Sequence, residues 1–122
     1  MNLFFIYGTL KSDSAVPMAV KLRDQAEIIG EAHVYGNLYD MGDYPGLIVP
    51  NGELKEKVFG ELYRVRDQDL KDELDEYEGV PYLFERQLIQ AHMPYKSVVA
   101  WAYVYRRPVA TASLIQSGIY TG

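Results

Sequence analysis

Glu78 stands at the end of the segment QDLKDELDEYEG (residues 68–79), in which Leu70, Leu74 and Tyr77 fall at i, i+4 and i+7 and so mark one apolar helical stripe. Eight positions after Leu70, Glu78 shares that stripe's side, whereas Asp72, Glu73, Asp75 and Glu76 are expected to point largely to solvent. In a last turn the helix dipole disfavours a carboxylate by about 0.3 to 1 kcal/mol. Burial raises its pKa further, which is what a group that exchanges protons near neutral pH requires. The competing reading is a tilted, partly exposed carboxylate beside a helix-ending glycine. Asp75 and Glu76 are adjacent and diverge on a helix, which argues against a glycosidase-type carboxylate pair built from them.

Near the N-terminus, the apolar run Leu3–Tyr7 leads into Gly8-Thr9-Leu10-Lys11. A buried strand entering such a turn lets Gly8 adopt dihedrals closed to other residues and expose neighbouring N–H groups, a setting for a carboxylate or an oxyanion. It is equally what any tight turn after a strand needs. Tyr44-Pro45-Gly46 follows an acidic loop and offers a ring to wall a pocket, or a plain turn with a surface tyrosine. Arg86 alternates with Phe84 and Leu88, so on that face it requires a carboxylate or a cleft unless the face is wet. The 11 tyrosines fit a pocket with hydroxyls at its rim, and fit a sheet surface as well.

Composition narrows the alternatives. A chain of 122 residues, 48% hydrophobic, has room for one domain, here expected over residues 1–122. The net charge of -5, with no basic cluster beyond Arg106-Arg107, argues against nucleic acid as a partner. No cysteine is present, which removes disulfides and thiol catalysis. His33 and His92 stand apart from any ligand-spaced cluster, which leaves carboxylates alone as candidate metal ligands, and no run has the spacing of a calcium loop. No apolar run approaches a membrane span, and MNLFFIYG lacks the basic flank and cleavage site of a signal peptide, so a cytoplasmic location is the expectation. Oligomeric state is left open.

The elements that must position these residues follow from periodicity. Leu3–Tyr7 reads as a strand covered on both faces. A short helix is expected over Ala15–Leu22, with Pro17 in its first turn and Ala15, Ala19 and Leu22 along one side. Glu31–Tyr39 alternates as a half-buried strand. MGDYPGLIVPNGE reads as a loop, a brief strand at Leu47-Ile48-Val49 and a turn at Asn51-Gly52. Val58–Val65 is a strand, Asp67 caps a helix over Gln68–Glu78, and Gly79 and Pro81 stop it. Leu83–Ala91 and Val98–Tyr105 are strands, the second placing Val99, Trp101, Tyr103 and Tyr105 on one face. Long strands around one good helix favour a closed or strongly curled mixed sheet, an α+β domain, over a doubly wound one.

YGTLK (residues 7–11), DYPGL (43–47), LDEYEG (74–79) and AWAYVY (100–105), in this order and spacing, resemble the gamma-glutamylcyclotransferase family, including its gamma-glutamylamine cyclotransferase and AIG2-like branches. The resemblance runs from the first strand to Tyr105. It implies a mixed, barrel-like fold in which the loop at Tyr7, Gly8, Thr9 and Leu10 holds the α-amino acid end of a gamma-glutamyl group. It also implies that Glu78 is the catalytic glutamate, and that Tyr44, Pro45, Arg86 and Tyr105 complete the substrate-binding set. Members commonly carry a tyrosine two residues before the arginine matched by Arg86; Phe84 stands there instead, removing one hydroxyl contact.

The implied reaction is an intramolecular cyclisation that yields 5-oxoproline and a free amine or amino acid, and it calls for no metal and no cofactor. A gamma-glutamyl amide carries its own nucleophile, and holding that amine near the gamma-carbonyl is worth about 7 to 11 kcal/mol over a bimolecular attack. The substrate is then a gamma-glutamylamine, a gamma-glutamyl dipeptide or a gamma-glutamyl-protected metabolite, with residues 41–50 and 107–122 shaping the leaving-group side. The alternative is a noncatalytic binding or assembly protein on a degenerate cyclotransferase fold.

Overall fold

The computed structural model describes residues 2–50, 56–110 and 113–121. The strands β1 (Leu3–Ile6), β2 (Glu27–Tyr35), β5 (Lys57–Arg64), β6 (Phe84–His92) and β7 (Ser97–Tyr105) close into a barrel in the order β1-β5-β2-β6-β7. β1 runs parallel to β7 and antiparallel to β5. A separate two-stranded sheet is made by β3 (Asn37–Asp40) and β4 (Pro45–Ile48). The helices are α1 (Pro17–Gln25) and α2 (Gln68–Tyr77). This is the mixed α+β barrel that the sequence leads one to expect.

The apolar run of β1 is explained by the two cores it separates. Phe5 and Tyr7 point into the barrel with Val34, Leu62, Ala100 and Ala102, while Phe4 and Ile6 face Leu22, Leu70 and Leu74 of the helices. Small residues on the inner side of β7 suit a narrow barrel, and Tyr103 and Tyr105 take its outer, helix-covered side.

Several expected boundaries move. The strand foreseen over residues 31–39 starts earlier, at Glu27, and breaks at Gly36, after which β3 leaves the barrel to pair with β4. A Cβ at Gly36 would lie 2.8 Å from the Ile48 carbonyl oxygen, so the sheet change itself needs glycine. The brief strand begins at Pro45 and ends before Val49; the turn foreseen at Asn51-Gly52 lies outside the described residues. α1 begins at Pro17 rather than Ala15, with Val16 as N-cap, and still buries Ala19 and Leu22. α2 ends at Tyr77, one residue early, with Glu78 as its C-cap. Tyr77, expected on the buried stripe, is 44% exposed because the helix ends before packing covers it.

Candidate active site

α2 begins where Asp67 accepts a hydrogen bond from the Asp69 N–H (3.0 Å). Leu70 and Leu74 anchor it against the outside of the barrel. It ends in a Schellman arrangement: the Gly79 N–H donates to the Glu76 carbonyl (3.1 Å) and the Val80 N–H to the Asp75 carbonyl (3.0 Å). Gly79 sits at φ +71°, a conformation that glycine adopts without strain. The Leu83 N–H closes back on the Gly79 carbonyl at 2.8 Å, so the backbone around Glu78 is pinned on both sides.

Glu78 is half-buried and faces a small cavity of about 20 Å³, room for roughly one or two waters. Tyr7, Gly8, Thr9 and Leu10 line the cavity with Glu78, and Tyr44, Pro45 and Tyr103 are among its other walls. Burial pushes the Glu78 pKa up to about 7, and the neighbouring Asp75 carboxylate adds to the rise. Among the described residues no basic side chain forms a salt bridge with Glu78; their ion pairs are Lys21–Glu73, Arg64–Glu27 and Arg86–Asp75.

The loop after β1 is tied down from several sides. The Tyr7 hydroxyl donates to the Tyr103 carbonyl (2.6 Å) and accepts from the Leu47 N–H (3.2 Å), linking β1, β7 and β4 in the interior. Burial, with a smaller effect from Glu78, raises the Tyr7 pKa well above its ordinary value and keeps the phenol neutral. Thr9 Oγ1 and the Tyr77 hydroxyl share a hydrogen bond at 2.9 Å, bridging the loop to the end of α2. Lys11 Nζ donates to the Tyr120 carbonyl (2.9 Å). The Lys11 N–H closes the turn on the Gly8 carbonyl (3.2 Å), and the amides of Thr9 and Leu10 donate to no described residue.

Gly8 is required for a different reason from the one expected. It does not take a positive φ; instead Pro45 packs against it, and a Cβ at position 8 would lie 2.9 Å from Pro45 Cγ. Close approach of the β3–β4 hairpin, not backbone freedom, selects glycine there.

Arg86 and Tyr105 lie outside the cavity lining. Arg86 Nε pairs with Asp75 Oδ1 at 3.3 Å, and its guanidinium stacks over Trp101 (4.7 Å) and Phe4 (5.4 Å). Tyr105 backs the wall, its ring 6.3 Å from that of Tyr44 and 5.2 Å from that of Phe84. Phe84, edge-on to Tyr44 at 5.9 Å, belongs to the same aromatic support.

Asp75 and Tyr103 are the residues that sequence reasoning missed. Asp75, expected in solvent, is only 24% exposed and accepts from the Tyr103 hydroxyl at 2.7 Å. Its placement three residues before Glu78, on the same side of the helix, was the available signal.

A groove of about 320 Å³ adjoins the cavity and shares Gly8 and Thr9 with it; Lys11, Asp13, Asp43 and Tyr120 are among its other walls. Among the described residues no cluster of three potential metal ligands occurs, and no helix is long and apolar enough to cross a membrane.

Residues 4–122 match the model of the family described as gamma-glutamyl cyclotransferase, AIG2-like. The gamma-glutamylcyclotransferase family protein YtfP of Citrobacter rodentium is 38% identical over 115 residues, covering 93% of this chain and 90% of the relative. The solution structure of the ytfP protein of Escherichia coli superposes with a TM-score of 0.67 at 37% identity, covering 96% of this chain and 94% of that one. An AIG2-like protein from Mus musculus shares the fold with a TM-score of 0.78 at 24% identity, covering 99% and 88%. With the barrel, the loop at residues 7–10 and this agreement along almost its whole length, the chain belongs to the gamma-glutamyl cyclotransferase, AIG2-like family.

Proposed function

We propose that the protein cyclises a gamma-glutamyl amine or amide to 5-oxoproline with release of the amine, and that Glu78 is its general acid/base. The observation that carries this reading is Glu78 itself: a half-buried carboxyl without a described salt bridge, opening onto the cavity walled by Tyr7–Leu10, with a pKa near 7.

In this reading the α-carboxylate of the glutamyl group accepts hydrogen bonds from the Thr9 and Leu10 amides, which donate to no described residue. Tyr44 and Pro45 press on the opposite side and bend the glutamyl chain. The ionised Glu78 takes a proton from the α-ammonium. The freed amine nitrogen attacks the gamma-carbonyl carbon, forming the fifth bond of the ring. Glu78 returns that proton to the amide nitrogen of the tetrahedral intermediate and takes a second proton from the ring nitrogen; the original amide C–N bond then breaks, the carbonyl re-forms, and the departing amine accepts the proton that Glu78 holds. A single carboxyl with a pKa near 7 serves all these transfers, and the balance needs neither water nor a metal. The leaving group extends into the groove beside Lys11 and Tyr120. The cavity is far smaller than the roughly 300–1,000 Å³ of ordinary ligand sites, so the hairpin carrying Tyr44 and Pro45 parts from the loop on binding.

The test is 5-oxoproline release from a panel of gamma-glutamyl amines and dipeptides, with Glu78→Gln beside the parent. Release by the parent, at least about 100-fold lower in the variant, is expected. The parent's kcat/KM should rise with pH through about 7 as Glu78 ionises. No release across the panel would favour a binding protein on this fold, and activity surviving in Glu78→Gln would overturn the choice of catalyst.

A further inference from the structure

Asp75 is held by a cross-strand pair. Arg86 on β6 lies directly opposite Tyr103 on β7 in the sheet register, and both reach the same carboxylate oxygen of Asp75 on α2. Arg86 has little freedom, because its guanidinium is stacked over Phe4 and Trp101. Helix and barrel are thus joined by a polar contact one turn before Glu78. Tyr103 also walls the cavity, so the network reaches the site without occupying it.

The groups facing Glu78 fall into two kinds. Tyr7 at the end of β1, Tyr103 on β7 and Tyr44 before β4 all have phenols whose pKa burial raises, so they stay neutral. Formal charge near Glu78 comes from Asp75 on its own helix and, through Asp75, from Arg86 on β6. A surface ion pair contributes little to stability. A charged carboxylate fixed one turn from an acid/base has a different consequence: it penalises the second ionisation.

We propose that Asp75 is a positioning residue for Glu78: its carboxylate, held by Arg86 and Tyr103 one turn before Glu78, is the neighbouring group that governs when Glu78 gives up its proton. Arg86 acts in the opposite sense, moderating that charge. The assignment rests on the acid/base reading of Glu78, but its physical content is measurable without substrate.

The experiment is a titration of the Glu78 side-chain carboxyl carbon by NMR in the parent, Asp75→Asn, Arg86→Gln and Arg86→Lys, with kcat/KM-against-pH profiles run in parallel. Asp75→Asn should move the Glu78 midpoint down by about one pH unit. Arg86→Gln, which leaves Asp75 unmoderated, should move it up, and Arg86→Lys, which keeps the charge without the stacked planar fork, should fall between Arg86→Gln and the parent. The acid limb of the kcat/KM profile should follow the same order. An unchanged midpoint in Asp75→Asn, or Arg86→Gln moving it in the same direction, would overturn the proposal. Should Asp75→Asn fail to fold, the two arginine variants decide it by the sign of their difference. Midpoints that shift as expected in a protein that releases no 5-oxoproline would sink the reaction and leave the charge coupling standing, so the two failures are distinguishable.

Discussion

Pro45 lies against Gly8 so closely that a single added carbon at position 8 would sit 2.9 Å from Pro45 Cγ and 3.0 Å from Cδ. The contact presses the β3–β4 hairpin onto the loop that leaves β1 and sets the width of the cavity before Glu78. Gly8→Ala is therefore expected to destabilise the protein by about 1 to 3 kcal/mol through overpacking and to lower activity by displacing the loop. Pro45→Ala in the same chain should recover part of the loss. Urea unfolding of the single and double variants checks this, and strict additivity would show that the contact does not act as described.

Glu78 should cost the fold stability at neutral pH. Its folded pKa, near 7, lies above the ordinary carboxyl value of 4.5. Between those values the native state holds a proton that the unfolded chain releases, so stability falls as pH rises through this window and levels off above it. Glu78→Gln removes the effect. The variant is expected to match the parent near pH 4 and to exceed it by roughly 1 to 3 kcal/mol at pH 8, measured by denaturant midpoints.

Tyr7→Phe deletes one hydroxyl that serves two buried backbone groups, the Tyr103 carbonyl and the Leu47 N–H. Both lose that partner in the interior, so a loss of about 1 to 3 kcal/mol is expected. Hydrogen exchange should locate it, with the Leu47 amide losing protection first.

Tyr63 supplies the contrast. Its ring is in the core but its buried hydroxyl has no hydrogen-bond partner among the described residues. Tyr63→Phe should be neutral or stabilising by up to about 1 kcal/mol, since the desolvated group is removed with its cost. A clear loss of stability would reveal a partner for that hydroxyl.

Gly79 allows α2 to end where Glu78 meets the cavity. At φ +71°, with Leu83 Cβ 3.1 Å from where a Cβ would stand, Gly79→Ala is expected to cost about 1 to 2 kcal/mol. Activity should fall further than stability alone explains, because the C-cap that aims Glu78 is disturbed. Comparing kcat/KM with the fraction folded at each temperature separates the two effects.

Much of this was legible in the chain because it depends on local rules. The helix over residues 68–77 follows from the Asp67 cap, the Leu70 and Leu74 spacing and the Gly79 stop, each acting within a few residues. The two-sided apolar run at β1 and the alternation along β7 announce buried strands before any partner is known. Glu78 was singled out by its phase relative to Leu70 and its place at a helix end. Only the tertiary structure decided what those elements meet. Gly8 was chosen by a hairpin distant from it in sequence, and Asp75 was drawn out of solvent by a strand register that sets Arg86 opposite Tyr103. Tyr77 was left exposed for a similar reason: helical phase says which side a residue shares, while burial depends on whether another element covers that side. Periodicity and capping are properties of neighbours in sequence, whereas close approach, charge coupling and the raised pKa of Glu78 arise between residues that only folding brings together.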